Sequence, residues 1–297
     1  MKCVITGGSG FIGSYIAEEL AREENEVYIL DIRDPEIKLK KNMHHIKGST
    51  MDIDLLRDLF NNTEEVYDMA GIIGTSELIF NNREAVINNI LGSINVLETA
   101  KGKKVKKIMY PSKPNVWLNT YTITKQACEQ FCQMFNSIHN MDITILKIFE
   151  AYGPRQKMKN YRKVIPYFIT QALKNEPLEV YGNGEQHIDL IYVNDLAKII
   201  IQATRNNKKI NKVLDCGSGN PITVNELAKK IIKLTNSKSE ILHVKMRLGE
   251  EPETRLKANT KDLNIDTNKL TSLDDGLMET INYYKNSNNI IRATLTN

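Results

Sequence analysis

The chain has 297 residues, 41% hydrophobic and 26% charged, with 40 Lys and Arg against 36 Asp and Glu for a net charge of +4. That is an ordinary globular composition with room for one large domain or two unequal ones, and its small basic surplus suits an anionic small molecule but is too weak for a nucleic-acid surface. No apolar run is long enough to span a bilayer, and the four cysteines (Cys3, Cys128, Cys132 and Cys216) make no C-x-x-C pair, so the expectation is a cytoplasmic protein with buried reduced thiols, no membrane segment and no metal site.

Met1 leads directly into "KCVIT", a strand, so no targeting segment is expected. "GFIGSYIAEELARE" follows as a helix, "EVYILD" as a strand, "HHIKGS" as a short strand and "DIDLLRDLFN" as a helix. "EVYDMA" reads as a strand, "REAVINNILGSINVLETAK" as a long helix and "KKIMYPS" as a strand. "YTITKQACEQFCQMFNSIH" is a helix and "DITILKIFEAYG" a single strand. Alternation of this kind predicts a parallel sheet covered on both faces, with right-handed crossovers. After Gly153 the rhythm changes. "RKVIPYFITQALKN" is a helix, and residues 178 to 205 read as a hairpin-like turn, a strand and a helix. "KVLDCGSGNPITVNELAKKIIKLT" is a strand, a turn and a helix, with Thr223 and Glu226 spaced as a capping box. "EILHVKM" is a short strand, and the tail "KNSNNIIRATLTN" is expected to fray. The predicted organisation is a first domain over 1–155, with 186–213 returning to it, and a smaller lobe over most of 156–297.

The stretch "CVITGGSGFIG" places Gly7, Gly10 and Gly13 after a strand and at a helix start. Glycines there let the backbone turn tightly and approach a pyrophosphate, while the helix N-terminus offers free N–H groups to negative charge. Asp31 ends the second strand, where a carboxylate accepts from an adenine ribose 2′-OH and repels a 2′-phosphate. This favours NAD over NADP, although Arg33 is placed to receive a 2′-phosphate instead.

These motifs, with "YDMAG" at 67–71, "NNILGSINVLETA" at 88–100, "YTITK" at 121–125, "FEAYGPRQ" at 149–156, "LEVYGNGEQHIDLIYVNDLA" at 178–197, "LDCGSG" at 214–219 and "RLGE" at 247–250, resemble the extended short-chain dehydrogenase/reductases that act on nucleotide-sugars, the NAD-dependent epimerase/dehydratase group. The likeness covers nearly the whole chain. It implies an α/β fold, a Rossmann-type doubly wound parallel sheet with a smaller C-terminal α/β substrate lobe. It implies NAD on Gly7, Gly10, Phe11, Ile12, Gly13, Asp31, Ile32, Arg33, Ala70, Gly71, Tyr121 and Lys125, and a nucleotide-diphosphate sugar as substrate. It further implies a homodimer through the helices at 84–100 and 121–138. On the second of these, Ala127, Phe131, Met134 and Phe135 form a stripe that suits core or partner equally.

Tyr121 and Lys125 lie four apart on one helical face. A free phenol titrates near ~10 and is a poor base at neutral pH, but neighbouring positive charge favours the phenolate. In the family's mechanism the Tyr takes a proton from a sugar hydroxyl, usually at C4, as the carbon's hydride passes to NAD. The family's Ser or Thr position falls on Lys113 when anchored on Val116–Trp117, and on Ser112 if the register shifts by one. A charged Lys113 cannot accept a hydrogen bond but can donate one to a sugar oxygen; it could equally bind a phosphate or face solvent. The Asp–Glu pair of the 4,6-dehydratases is replaced by Pro114 and Asn115, which disfavours simple dehydration. Glu150 stands where the family carries Asn, either as a relocated carboxylate or as an acceptor to the sugar. The loop before Tyr121 is short, so the pocket is expected to be more open or closed by the C-terminal lobe. Ile188 replaces a frequent Arg, leaving Arg155, Arg247 and the "KMKNYRK" run at 157–163 for the diphosphate. The leading expectation is an NAD-dependent nucleotide-sugar epimerase acting through a transient 4-keto sugar. The alternatives are a dehydratase, oxidoreductase or decarboxylase using Glu150, or a dinucleotide-binding protein without catalysis.

Overall fold

The structure is a computed structural model describing residues 1–158, 161–206, 212–251 and 254–286. In chain order its first elements are β1 (Lys2–Thr6), α1 (Phe11–Arg22), β2 (Glu26–Asp31), β3 (Met43–Lys47), α2 (Ile53–Leu59) and β4 (Glu65–Asp68). A continuous helical stretch follows as α3 (Asn82–Ala85), a π-helical segment (Val86–Leu91) and α4 (Gly92–Lys103). Then come β5 (Lys107–Ser112), α5 (Thr120–His139), β6 (Ile143–Ile148), β7 (Glu150–Tyr152), α6 (Val164–Lys174), β8 (Leu178–Tyr181), β9 (His187–Tyr192) and α7 (Val193–Arg205). The remainder is β10 (Val213–Cys216), β11 (Pro221–Thr223), α8 (Val224–Thr235), β12 (Ile241–Val244) and α9 (Leu273–Tyr284).

Seven strands form one parallel sheet in the order β10-β6-β5-β4-β1-β2-β3. This is the doubly wound Rossmann-type sheet, and the order reverses between β1 and β4, where such folds bind ligands. Its strands read as near-continuous apolar runs because helices cover both faces. On one face α1 and α7 bury Ile16, Leu20, Leu196 and Ile200 against Ile5, Ile29 and Met109. On the other, α2, α4 and α5 bury Leu56, Val96, Leu97 and Cys132 against Val4, Leu30 and Ile108. A third core unites α6, α8 and α9 through Phe168, Ile169, Leu227, Ile231, Leu277 and Ile281. All four cysteines are buried and unbridged. No described helix is long and apolar enough to cross a membrane.

Several elements differ from the sequence expectation. The strand expected over 142–153 breaks at Phe149: β6 stays in the large sheet, while β7 pairs with β9, whose other edge takes β11, in a three-stranded sheet. Residues 178–192 do not form a hairpin, because Gly182 and Gly184 adopt positive φ and redirect the chain, so β8 pairs with β12. The helix expected over 84–100 runs from Asn82 to Lys103 through the π-helical segment. The returning segment delivers α7 and then β10, which extends the large sheet to Cys216. The capping box forms as expected: Thr223 Oγ1 accepts from Glu226 N, and Thr223 N donates to Glu226 Oε2 at 2.9 Å. The tail expected to fray lies outside the described residues from Ser287 on.

Candidate active site

The cofactor groove starts where β1 ends. Gly7 has φ +65, and a Cβ on it would stand 2.8 Å from the Ala70 backbone. A Cβ on Gly13 would lie 2.5 Å from the Gly7 carbonyl oxygen. Glycine is therefore required for the loop to fold onto itself. Gly10 caps α1 without a side-chain bond, and no acid stands in the first turn of Phe11 and Ile12. The helix N-terminus thus remains open to an anion. Asp31 is 6% exposed, its oxygens accepting from Ser9 N and Arg33 N at 3.0 Å each. Ile32 beside it is exposed, and Arg33 Nε lies 3.6 Å from the Asp31 carboxylate. Arg33 is therefore already drawn to the Asp31 carboxylate. Across the groove Ala70 N donates to Thr6 Oγ1 at 3.1 Å. The Asn89 amide brackets Ile72, accepting from its N–H at 2.8 Å and donating to its carbonyl at 3.0 Å. Asn89 comes from the π-helical segment, and Gly71 lets it approach, since a Cβ there would meet its Oδ1 at 2.9 Å. This asparagine was not singled out in the sequence; only its place in "NNILG" hinted at it. The glycine cradle, the uncapped helix and Asp31 together fit a dinucleotide. Replacing Asp31 by Ser should weaken NADH binding about tenfold and narrow its advantage over NADPH, as read by fluorescence titration.

Tyr121, the candidate acid–base residue, sits at the start of α5. Asn119 caps that helix by accepting from Thr122 N at 2.9 Å, which sets Tyr121 in the first turn. Burial pushes the Tyr121 phenol up to about 12, with Lys163 pulling it down and Glu150 and Tyr161 pushing it up. Lys125 is buried, with Nζ 4.2 Å from the centre of the Tyr110 ring. Burial lowers its pKa while Asp68 is among the groups that raise it. Lys163 is thus a cation that opposes the upward push on the phenol, and Lys113 lies over its ring. Lys163 is itself held charged by Glu150, whose Oε1 is 3.6 Å away.

Ser112 and Lys113 part company here. Ser112 is 2% exposed and its hydroxyl donates to Glu129. Lys113 lines the pocket and lays its Nζ over the Tyr121 ring, 4.8 Å from the centroid. The pocket lies between the ends of β5 and β6 and the second lobe, with Glu150, Arg162, Lys163, Tyr181 and Arg247 on its walls. The short loop before Tyr121 is closed over by the C-terminal lobe: Trp117 Nε1 donates to Thr254 Oγ1 at 2.9 Å, Asn119 Nδ2 to the Gly249 carbonyl at 2.9 Å, and Ser76 Oγ to the Leu248 carbonyl at 2.7 Å.

The expected basic residues separate. Arg247 lines the pocket, bonded to Glu250 and 3.4 Å from Glu77. Arg155, expected on the diphosphate, turns instead to α1: it bonds Glu18 at 2.6 Å and stacks 3.8 Å above the Tyr15 ring. Its left-handed backbone, φ +69, faces it away from the pocket. Of the run at 157–163, Lys157 pairs with Glu36 at 2.5 Å and Arg162 with Glu179; Lys159 and Asn160 lie outside the described residues.

Comparison with known proteins agrees with this architecture. The NAD dependent epimerase/dehydratase family matches residues 3–217. The chain is 32% identical to a UDP-N-acetyl-alpha-D-glucosaminuronate decarboxylase of Bacillus cytotoxicus over 82% of this chain and 83% of that protein. It is 28% identical to a putative UDP-glucose 4-epimerase of Methanocaldococcus jannaschii over 96% of this chain and 99% of that one. Among solved structures, a UDP-glucose 4-epimerase of Thermotoga maritima with UDP-glucose superposes with a TM-score of 0.88 at 25% identity, covering 97% of this chain and 99% of that one. The glycine cradle at β1, the Tyr121–Lys125 helix and the matched span lead to one conclusion: the chain belongs to the NAD-dependent epimerase/dehydratase family and is an enzyme whose cofactor is NAD.

Proposed function

We propose that the protein is a nucleotide-sugar epimerase that works through a transient 4-keto sugar. The observation that carries this is Tyr121, a half-buried phenol whose ring meets Lys113 on the wall of a pocket rimmed by Arg162 and Arg247. The cradle of Gly7, Gly10 and Gly13 with Asp31 would hold NAD, which when bound would supply the acceptor for the sugar's hydride. Tyr121 takes the hydroxyl proton and gives it back. Arg162 and Arg247 receive the diphosphate, and the Trp117–Thr254 contact keeps bulk water from the sugar. Pro114 and Asn115 stand where the 4,6-dehydratases carry their carboxylates and can do no acid–base work there. Incubation with UDP-, GDP- or dTDP-hexose should yield an epimer without net NAD consumption. Stoichiometric NADH with an accumulating keto product would replace epimerisation by a net oxidation. The buried thiols suit a cytoplasmic enzyme. A homodimer is supported by apolar side chains left exposed on the two helices: Val86, Ile87 and Leu91 on one, Ile123, Met134 and Ile138 on the other. Phe135 is spent in the core, and Phe131 packs against the same core.

A further inference from the structure

Each Lys and Arg on the pocket wall but one is ion-paired with a glutamate of that wall. Arg162 is paired with Glu179, Lys163 with Glu150 and Arg247 with Glu250. The remaining carboxylate, Asp189, is 1% exposed and saturated: it accepts from Ser218 N and Oγ at 2.7 Å each, from Gly219 N at 2.9 Å and from Ala258 N at 2.8 Å. Lys113 is left with only the π-face of Tyr121; among the described residues no oxygen takes a hydrogen bond from its ammonium. A cation removed from water without a partner is costly, and the cost is relieved when a ligand brings the missing anion. The position decides which anion. The ammonium stands against the ring of Tyr121, at the reacting end, while Arg162 and Arg247, each with its glutamate, are the guanidinium groups assigned above to the diphosphate.

We infer that Lys113 is a specificity residue for a carboxylate on the sugar ring, so that the preferred substrate is a nucleotide-linked hexuronic acid over a neutral hexose. This rests on the nucleotide-sugar reading above. In that arrangement Lys113 and Lys163 flank two carboxylates, Glu150 and the substrate's own, and the cluster is neutral. A neutral sugar leaves Lys113 to a hydroxyl, a weaker acceptor than an ionised oxygen.

The test is calorimetric titration of the NAD-loaded enzyme. UDP, GDP and dTDP identify the base, and the matched hexose and hexuronate on that base are then compared. The hexuronate should bind about tenfold tighter or better. Lys113→Met should erase that gap by weakening the hexuronate far more than the hexose, and Lys113→Arg should restore most of it. Retained binding of the bare nucleoside diphosphate shows that each variant is folded. Equal affinity for the two sugars, or a gap that survives in Lys113→Met, overturns the assignment while leaving the epimerase reading intact. An equal loss of turnover on both sugars with no change in the affinity gap also overturns it, since Lys113 would then serve the reacting oxygen. Failure of all three diphosphates to bind sinks the nucleotide-sugar reading, and this inference with it.

Discussion

Tyr121→Phe should lower kcat by about a thousandfold while the affinity for nucleoside diphosphate stays near that of the parent. The phenol is the proposed proton acceptor, half-buried beside the pocket, and its ring is the surface on which Lys113 rests. Phenylalanine keeps the ring and the packing but removes the only oxygen that can exchange the proton. The same residue predicts the pH profile. Burial holds the phenol up to about 12, so it keeps its proton through neutrality, and the base form grows as pH rises. kcat/KM should therefore climb from pH 6 to 9, as followed by initial rates. Glu150 adds to the elevation and Lys163 opposes it, so Glu150→Gln should move the climb toward lower pH. A flat profile in the parent enzyme would show that the phenol is not the base.

Asp189→Ala is the second large effect, on stability. This carboxylate, on β9, gathers four donors from the Ser218–Gly219 turn and from Ala258. Alanine strands all four in a site that is 1% exposed. The expected cost is on the order of 3–5 kcal/mol, the range found when one partner of a buried charged network is removed. That corresponds to a fall in Tm of roughly 10 °C for a chain of this size, measurable by calorimetry. Asp189→Asn keeps an acceptor oxygen and should lose less. If both variants melt with the parent, the network is not what pins these segments.

The cofactor half was legible because its grammar is local. Gly7, Gly10 and Gly13 sit within one strand–turn–helix, and each glycine answers to a clash only a few residues away or across one strand. The sugar half was not, because its contacts join distant segments. Trp117 meets Thr254 across 137 positions, and Lys163 reaches Glu150 from the far side of α6's start. Spacing cannot announce such pairs. Arg155 was expected on the diphosphate as one of the basic residues left once Ile188 replaces the frequent Arg, yet it meets Glu18 and Tyr15 on α1. Ser112 is the last residue of β5, and Lys113 stands just past it. Alternation along the strand sends Ser112 to Glu129 on α5 and leaves Lys113, past the strand's end, to the pocket.

The break at Phe149 gives the enzyme a fixed ruler. One residue separates β6, anchored beside the cofactor half, from β7, which carries Glu150 into the sugar half. The spacing between the two chemistries is thus written in covalent backbone and does not depend on how a loop settles. Such a scaffold tolerates exchange of side chains at Lys113 or Glu150 far better than insertion or deletion between them. Its descendants should diversify their sugars by substitution, with chain length through this junction held constant.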